Sequence, residues 1–231
     1  YKKLNQTIQM KNKILMVISH DIKNPISSFI TYLEIIKNDP AEINDEITLQ
    51  LEENLNNTLG LLKNLVIWSK KNEGILDLEK NRENLTELIK TELSFLKSKI
   101  NHKKLVINFN TSKDFFAYCN QTSFQTIFRN LVSNAIKFSN PHNKIDIEIE
   151  EMNDSVKISI TDYGLGIPSN RMKNLFGFEM NKSTIGTQNE RGSGLGLILC
   201  KELIEMNNGK IEVQSQINKG STFSIYFPSS K

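Results

Sequence analysis

The chain is poor in the residues that staple small domains or hold metals. Its 231 residues include two cysteines, Cys119 and Cys200, far apart and without CxxC or Cys/His spacing. That excludes a disulfide framework and a zinc site, and it fits a reducing compartment. No run approaches the roughly 18 apolar residues that span a bilayer, and no basic-then-apolar signal opens the chain. Excess charge is lacking too: 29 Lys+Arg against 26 Asp+Glu leave +3, too little for charge alone to mark a nucleic-acid or polybasic membrane surface. With 38% hydrophobic and 24% charged residues, wholesale disorder is excluded, and the length suits one large domain or two modest ones.

Glycine is nearly absent from the first 72 residues, where Gly60 stands alone, and Pro25 is the one proline inside a helical pattern. Leu4, Ile8, Leu15, Ile18, Ile22, Phe29, Tyr32 and Ile36 keep a heptad spacing broken by Lys11 and Pro25. After a polar break at Asn38, Asp39 and Pro40, a second stripe runs through Ile47, Leu51, Leu55, Leu59, Leu62 and Val66. An antiparallel helical hairpin follows. Two helices cannot cover so wide an apolar surface, so the expectation is a homodimer closing a four-helix bundle.

Beyond Gly74 the periodicity changes. Residues 105–109, 144–150, 156–161, 210–215 and 222–227 read as strands, and 85–100, 122–138 and 195–206 as helices. This pattern predicts a two-layer α/β sandwich with a mixed sheet. Residues 177–191 are polar and aperiodic, and a loop that long inside a compact domain is usually functional.

His20 falls at an outward heptad position if Ile18 and Ile22 face the seam. Taken alone, a solvated surface histidine is the commoner reading. Its neighbours change the balance. Asp21 can bond one imidazole nitrogen and raise the nucleophilicity of the other. Asn24 shares the exposed face and can position a water or a phosphoryl oxygen. Pro25 removes a helical hydrogen bond and bends the helix just past the histidine. His20-Asp21-Ile22-Lys23-Asn24-Pro25-Ile26 resembles, position by position, the H-box of sensor histidine kinases of the HisKA type.

The second half carries further polar constellations. Asn130, Asn134 and Lys137 share one helix face beside an apolar face of Phe124, Ile127, Phe128, Leu131 and Ala135. An amide oxygen is a hard ligand suited to Mg²⁺, and a lysine suits phosphate, although such a stripe alone is more often a solvated face. Asn130-Leu131-Val132-Ser133-Asn134-Ala135-Ile136-Lys137-Phe138 is similar to the N-box of the same family's ATP-binding domain. Asp162-Tyr163-Gly164-Leu165-Gly166-Ile167 ends a strand and opens a turn, where two glycines permit close backbone approach and positive φ. It resembles the G1 box. Gly192-Ser193-Gly194-Leu195-Gly196-Leu197 feeds a helix N-terminus, which offers free N–H groups to phosphate, and no preceding strand supports a Rossmann reading. It resembles the G2 box. Gly220-Ser221-Thr222-Phe223, before the last strand, resembles the short final box. One departure from the family is the spacing of Phe176 and Phe178, two apart instead of three.

The boxes stand in family order, so the resemblance covers essentially the whole chain. It implies a multidomain α plus α/β protein: a dimerisation and histidine-phosphotransfer hairpin over 1–74, then a GHKL-type ATP-binding domain over 75–231. By this resemblance His20, Asp21 and Asn24 are catalytic, and His20 accepts the γ-phosphate of ATP and passes it to an aspartate of a response-regulator receiver domain. Asn134 holds Mg²⁺, while Asn130, Lys137 and Phe138 face the nucleotide. Asp162 selects adenine, with Gly164, Gly166, Ile167 and Thr222 nearby, and Lys182 and the residues of the G2 box lie along the phosphates. Asp21 and Asn24 also fit the family's phosphatase pattern, and Gly74 would be the hinge between the halves. The expected setting is a cytoplasmic portion, membrane-bound only through a segment upstream of Tyr1. Two other readings stay open: an ATP-hydrolysing clamp of the gyrase or chaperone kind, and a silent dimeric scaffold.

Overall fold

The computed structural model describes residues 26, 27, 29–38, 48, 51, 55, 58–60, 62, 66, 79–177, 184–188, 190, 194 and 196–230. The chain divides into two compact units, Tyr1–Leu76 and Asp77–Lys231. His20, Asp21 and Asn24, Asp39 and Pro40 of the polar break, and Gly74 lie outside the described residues. Among those described, no helix is long and apolar enough to cross a membrane.

In the first unit residues 26, 27 and 29–38 are helical, as are 48, 51, 55, 58–60, 62 and 66. Phe29, Tyr32 and Ile36, on the expected seam, are half-buried. A second stripe at i, i+4 and i+7, Ile26, Ile30 and Leu33, is exposed. Leu55, Leu59, Leu62 and Val66 are exposed as well.

The second unit begins with a two-stranded antiparallel sheet of β1 (Asn81–Asn84) and β3 (Phe116–Cys119). The main sheet has the order β2-β4-β5-β7-β6, built from β2 (Val106–Asn108), β4 (Lys144–Glu151), β5 (Ser155–Asp162), β6 (Lys210–Gln216) and β7 (Gly220–Pro228). The β2–β4 pair is parallel and the others antiparallel, so the sheet is mixed. Helices α1 (Leu85–His102), α2 (Gln121–Phe138) and α4 (Gly196–Met206) complete the unit, with a single turn α3 (Ser169–Met172).

Strand parity decides which side chains meet the helices. On β5, Val156, Ile158, Ile160 and Asp162 are buried, and on β7, Ser221, Phe223, Ile225 and Phe227. Phe227 meets Phe124 of α2 edge-on, with ring centroids 5.5 Å apart, so this is the helix-facing layer. The opposite face carries hydroxyl pairs, Thr161 with Thr222 at 3.0 Å and Ser159 with Ser224 at 3.1 Å.

The helices start and stop for identifiable reasons. Asn84, the last residue of β1, caps α1 by accepting the Glu87 N–H at 3.2 Å. Asn120 caps α2, accepting from the Ser123 N–H and hydroxyl, and its own N–H donates to the buried amide of Asn207 at the end of α4. Helix α1 ends in a Schellman turn: Lys104 adopts φ 52°, and the Leu105 N–H reaches the Ile100 carbonyl. Asn208 and Gly209 repeat that turn after α4.

Glu92, fully buried on α1, accepts two hydrogen bonds from Arg129 of α2, at 2.7 and 3.0 Å. The fork ties α1 to α2. Replacing Arg129 by Ala strands a buried carboxylate, and a loss of about 2–3 kcal/mol in urea unfolding is expected. Glu92→Met with Arg129→Met, which removes both charges, should recover most of that loss.

Candidate functional site

Helix α2 ends on carbonyl groups that no later turn of helix can satisfy, and other segments converge on them. The Leu165 N–H, from the turn after β5, donates to the Phe138 carbonyl at 3.2 Å. The Thr187 N–H donates to the Lys137 carbonyl, and its hydroxyl to the Ser139 carbonyl at 2.7 Å. Lys103, just past α1 and nearly fully buried, donates to the carbonyls of Ile136 and Lys137 at 2.8 and 2.9 Å and pairs with Glu190.

Glycines allow the turn after β5 to come this close. A Cβ on Gly164 would sit 1.9 Å from the Phe138 carbonyl oxygen, and one on Gly166, at φ 66°, 2.0 Å from that of Gln216. The Ile167 N–H then donates to the Ser215 hydroxyl at 2.8 Å, which lies 2.9 Å from the Ser221 hydroxyl.

Asp162 closes β5 beside this turn, buried on the helix-facing layer. Burial pushes its carboxyl up from the ordinary range to about 6, against the opposing pull of the N–H groups of Gly164 and Ser221. Among the described residues only N–H groups bond it, and that of Gly164 donates to Oδ1 at 3.0 Å. A carboxylate held this way retains capacity to accept from a ligand.

Asn130, Asn134 and Lys137 share one face of α2, as their spacing predicts. Their roles differ. The Asn130 amide donates to the Thr126 carbonyl at 2.9 Å, and its oxygen sits 2.8 Å from where a Cβ on Gly196 would be, so it packs the start of α4 on α2. Asn134 has no side-chain partner among the described residues. Lys137 lies over the Phe138 ring at 4.9 Å; burial lowers its pKa, Glu190 opposes that shift and Lys103 adds to it. Among the described residues no group of three or more His, Cys, Asp or Glu could hold a metal ion; the amide oxygen of Asn134, a hard ligand without a side-chain partner there, could serve a hard cation.

Gly194, at φ 71°, Gly196 and Leu197 are described at the start of α4, while Lys182, Gly192, Ser193 and Leu195 lie outside the described residues. Thr222 requires a correction. Gly220 opens β7 instead of preceding it, and parity then places Thr222 with Thr161 on the face opposite Asp162. Ser221, paired with Asp162 across the β5–β7 ladder, occupies the position expected of Thr222. Ser221, Ser215, Lys103 and Glu190 were not singled out from sequence. Ser221 was within reach, since one residue of register decides its face; the others act through contacts that no local pattern shows.

Residues 119–231 match the family described as histidine kinase-, DNA gyrase B-, and HSP90-like ATPase. The chain is 26% identical over 230 residues to the signal transduction histidine-protein kinase ArlS of Staphylococcus aureus (strain USA300), covering 97% of this chain and 50% of ArlS. It thus spans about half the length of the curated relatives it matches. Among solved structures, the Acinetobacter baumannii histidine kinase AdeS shares the fold with a TM-score of 0.70 at 21% identity, covering 91% of this chain and 98% of that one. Histidine kinase ThkA, solved in complex with the response regulator protein TrrA, gives 0.69 at 24% identity, over 99% of this chain and 64% of that one. Residues 119–231 are therefore similar to the histidine kinase-, DNA gyrase B- and HSP90-like ATPase domain, and the curated relative described here is a signal transduction histidine-protein kinase.

Proposed function

We propose that this chain is the phosphoacceptor hairpin, residues 1–74, and the ATP-binding domain, residues 75–231, of a bifunctional sensor histidine kinase. The observation that carries the reading is the pairing of a buried, N–H-bonded Asp162 at the sheet end with the Asn134–Lys137 face of α2. The first suits the exocyclic amine of adenine and the second suits phosphates. Asn134 would hold Mg²⁺, which supplies charge neutralisation on the phosphates.

Phosphoryl transfer asks little covalent help of a protein, so positioning dominates. An imidazole nitrogen of His20 forms the new P–N bond as the bond from the γ-phosphorus to its bridging oxygen breaks. ADP leaves, and Asp21 orients the ring and takes its proton. The phosphoryl group then passes to an aspartate on a receiver domain, the kind of partner with which ThkA was solved. Asn24 would align a water against the regulator's acyl phosphate for the reverse task. The proposed setting is cytoplasmic. The exposed stripes Ile26, Ile30, Leu33 and Leu55, Leu59, Leu62, Val66 support a homodimer, because a solitary hairpin would leave them in water.

Three experiments test this. Incubation with γ-labelled ATP should place acid-labile phosphate on the wild type and none on His20→Gln. Asn24→Ala should keep the label but lose regulator dephosphorylation, and ATP hydrolysis without any phosphohistidine would favour a clamp. Sedimentation should show a dimer that Leu33→Glu with Leu59→Glu converts to monomer; an unchanged dimer would refute this seam.

Asp162 gives a signed pH test. Its folded pKa is raised, so between about pH 4 and 6 the folded chain binds the extra proton. Stability of the nucleotide-free protein from this group is therefore greatest at low pH and falls by about 2–3 kcal/mol as pH rises through 6. ATP affinity should move the other way, weakening below pH 6 as the carboxylate is neutralised. Asp162→Asn should flatten the first dependence and weaken ATP binding at least about tenfold, measured by calorimetry.

A further inference from the structure

The ammonium of Lys103 is an expensive group to bury, and its surroundings show what it is for. It is only 2% exposed, and its described acceptors are two α2 carbonyls and the Glu190 carboxylate. Lys103 lies outside the segment that matches the ATPase family, whereas Glu190 lies within it, 87 residues on in sequence. The two carbonyls bring the partial negative charge of a helix C-terminus, and Glu190 brings the full one.

Glu190 is itself held from several sides. Its Oε2 accepts the Gln188 N–H at 2.7 Å, and its carbonyl accepts the Gly186 N–H at 2.8 Å. Burial works to raise the Glu190 carboxyl, but the bonds from Lys103 and Gln188 outweigh it and hold the group below the usual carboxylate range. With Thr187 bonded to the carbonyls of Lys137 and Ser139, this stretch is fastened to the end of the helix that carries Asn134 and Lys137.

We propose that Lys103 and Glu190 form a latch that fastens Gly186, Thr187 and Gln188 to the end of α2, beside Lys137, for the phosphates of ATP. Neither touches the nucleotide; both are positioning residues. The inference rests on the ATP-binding reading above and adds to it a source of phosphate affinity that lies partly outside the family's matched segment.

The latch acts on phosphates and not on the adenine side, which belongs to Asp162 and the turn after β5. The test compares ATP with Mg²⁺ against adenosine by calorimetry on the full 231-residue chain: wild type, Glu190→Gln, Glu190→Ala, Lys103→Met, and the Lys103→Met/Glu190→Ala double variant. Glu190→Ala should weaken ATP about tenfold while adenosine affinity stays within about twofold. Glu190→Gln, which keeps an oxygen toward Lys103, should lose about threefold. The double variant should bind ATP no more weakly than the worse single one, because each change removes the same contact. In autophosphorylation the loss should fall on KM with kcat little changed.

Should Lys103→Met fail to fold, Glu190→Ala and Glu190→Gln, at a half-buried position, carry the test. Equal ATP affinity of Glu190→Ala and wild type would overturn the latch alone, as would equal losses for ATP and adenosine, which mark a merely structural role. A wild-type chain that binds neither ligand would overturn the ATP-binding reading and the latch together.

Discussion

The end of one helix organises the second unit. A helix leaves its last carbonyls unpaired, and inside a protein each must find a donor. At the end of α2 the carbonyls of Ile136, Lys137, Phe138 and Ser139 are taken by Lys103, by Leu165 in the turn after β5, and by Thr187 in the segment before α4. Three stretches remote in sequence are thereby brought to one place, and the polar residues of α2 face outward beside them. The geometry follows from an elementary obligation of the backbone, with side chains chosen to meet it. A longer α2 would pair the same carbonyls internally and give the three stretches nothing to hold.

The two sides of the site are held by different physics. The Asp162 side depends on sheet register and tight backbone packing, where Gly164 and Gly166 admit no Cβ and Ser215 fastens Ile167. Hydrogen bonds with fixed partners on a five-stranded sheet leave little freedom there. The Lys137 side depends on charge, with Lys103 and Glu190 facing one another at the helix end. Burying a carboxylate such as Asp162 in a free site costs stability that an apolar residue would not. Such a cost is characteristic of groups that a ligand compensates, which connects this residue with binding.

Much of this organisation was legible in the sequence, and the exceptions share a cause. Strands β4, β5 and β7 showed because Ile145, Ile147, Val156, Ile158, Ile160, Phe223, Ile225 and Phe227 alternate with polar residues. Strand β1 did not, because Asn81-Arg82-Glu83-Asn84 has no apolar face and is a strand only through pairing with β3. Propensity and pattern describe a residue's own neighbourhood, and β1 is made by a partner far away. Thr222 was misplaced for a related reason. Where β7 begins cannot be seen in Gly-Ser-Thr-Phe itself, and a one-residue change of parity exchanges Ser221 for Thr222. The polar stripe on α2 was read correctly as a face, but the division of labour within it depends on Gly196, which packs against Asn130 and leaves Asn134 available.

The division into Tyr1–Leu76 and Asp77–Lys231 bears on how a kinase of this kind would be controlled. The described groups on the Asp162 side and along α2 all belong to the second unit, so the nucleotide affinity proposed for them would be a property of that unit. His20 belongs to the first. Under the proposed function, transfer requires the two units to meet, and units joined in one chain meet at high effective concentration. A signal that changes the hairpin can alter that encounter without touching the nucleotide site. Under the proposed function, phosphoryl transfer would be controllable while ATP stays bound, with no change in Asp162, Asn134 or Lys137. A net charge of only +3 suits such a device, since the electrostatics that matter are a few placed groups and not a field that would drive the units together regardless of the signal.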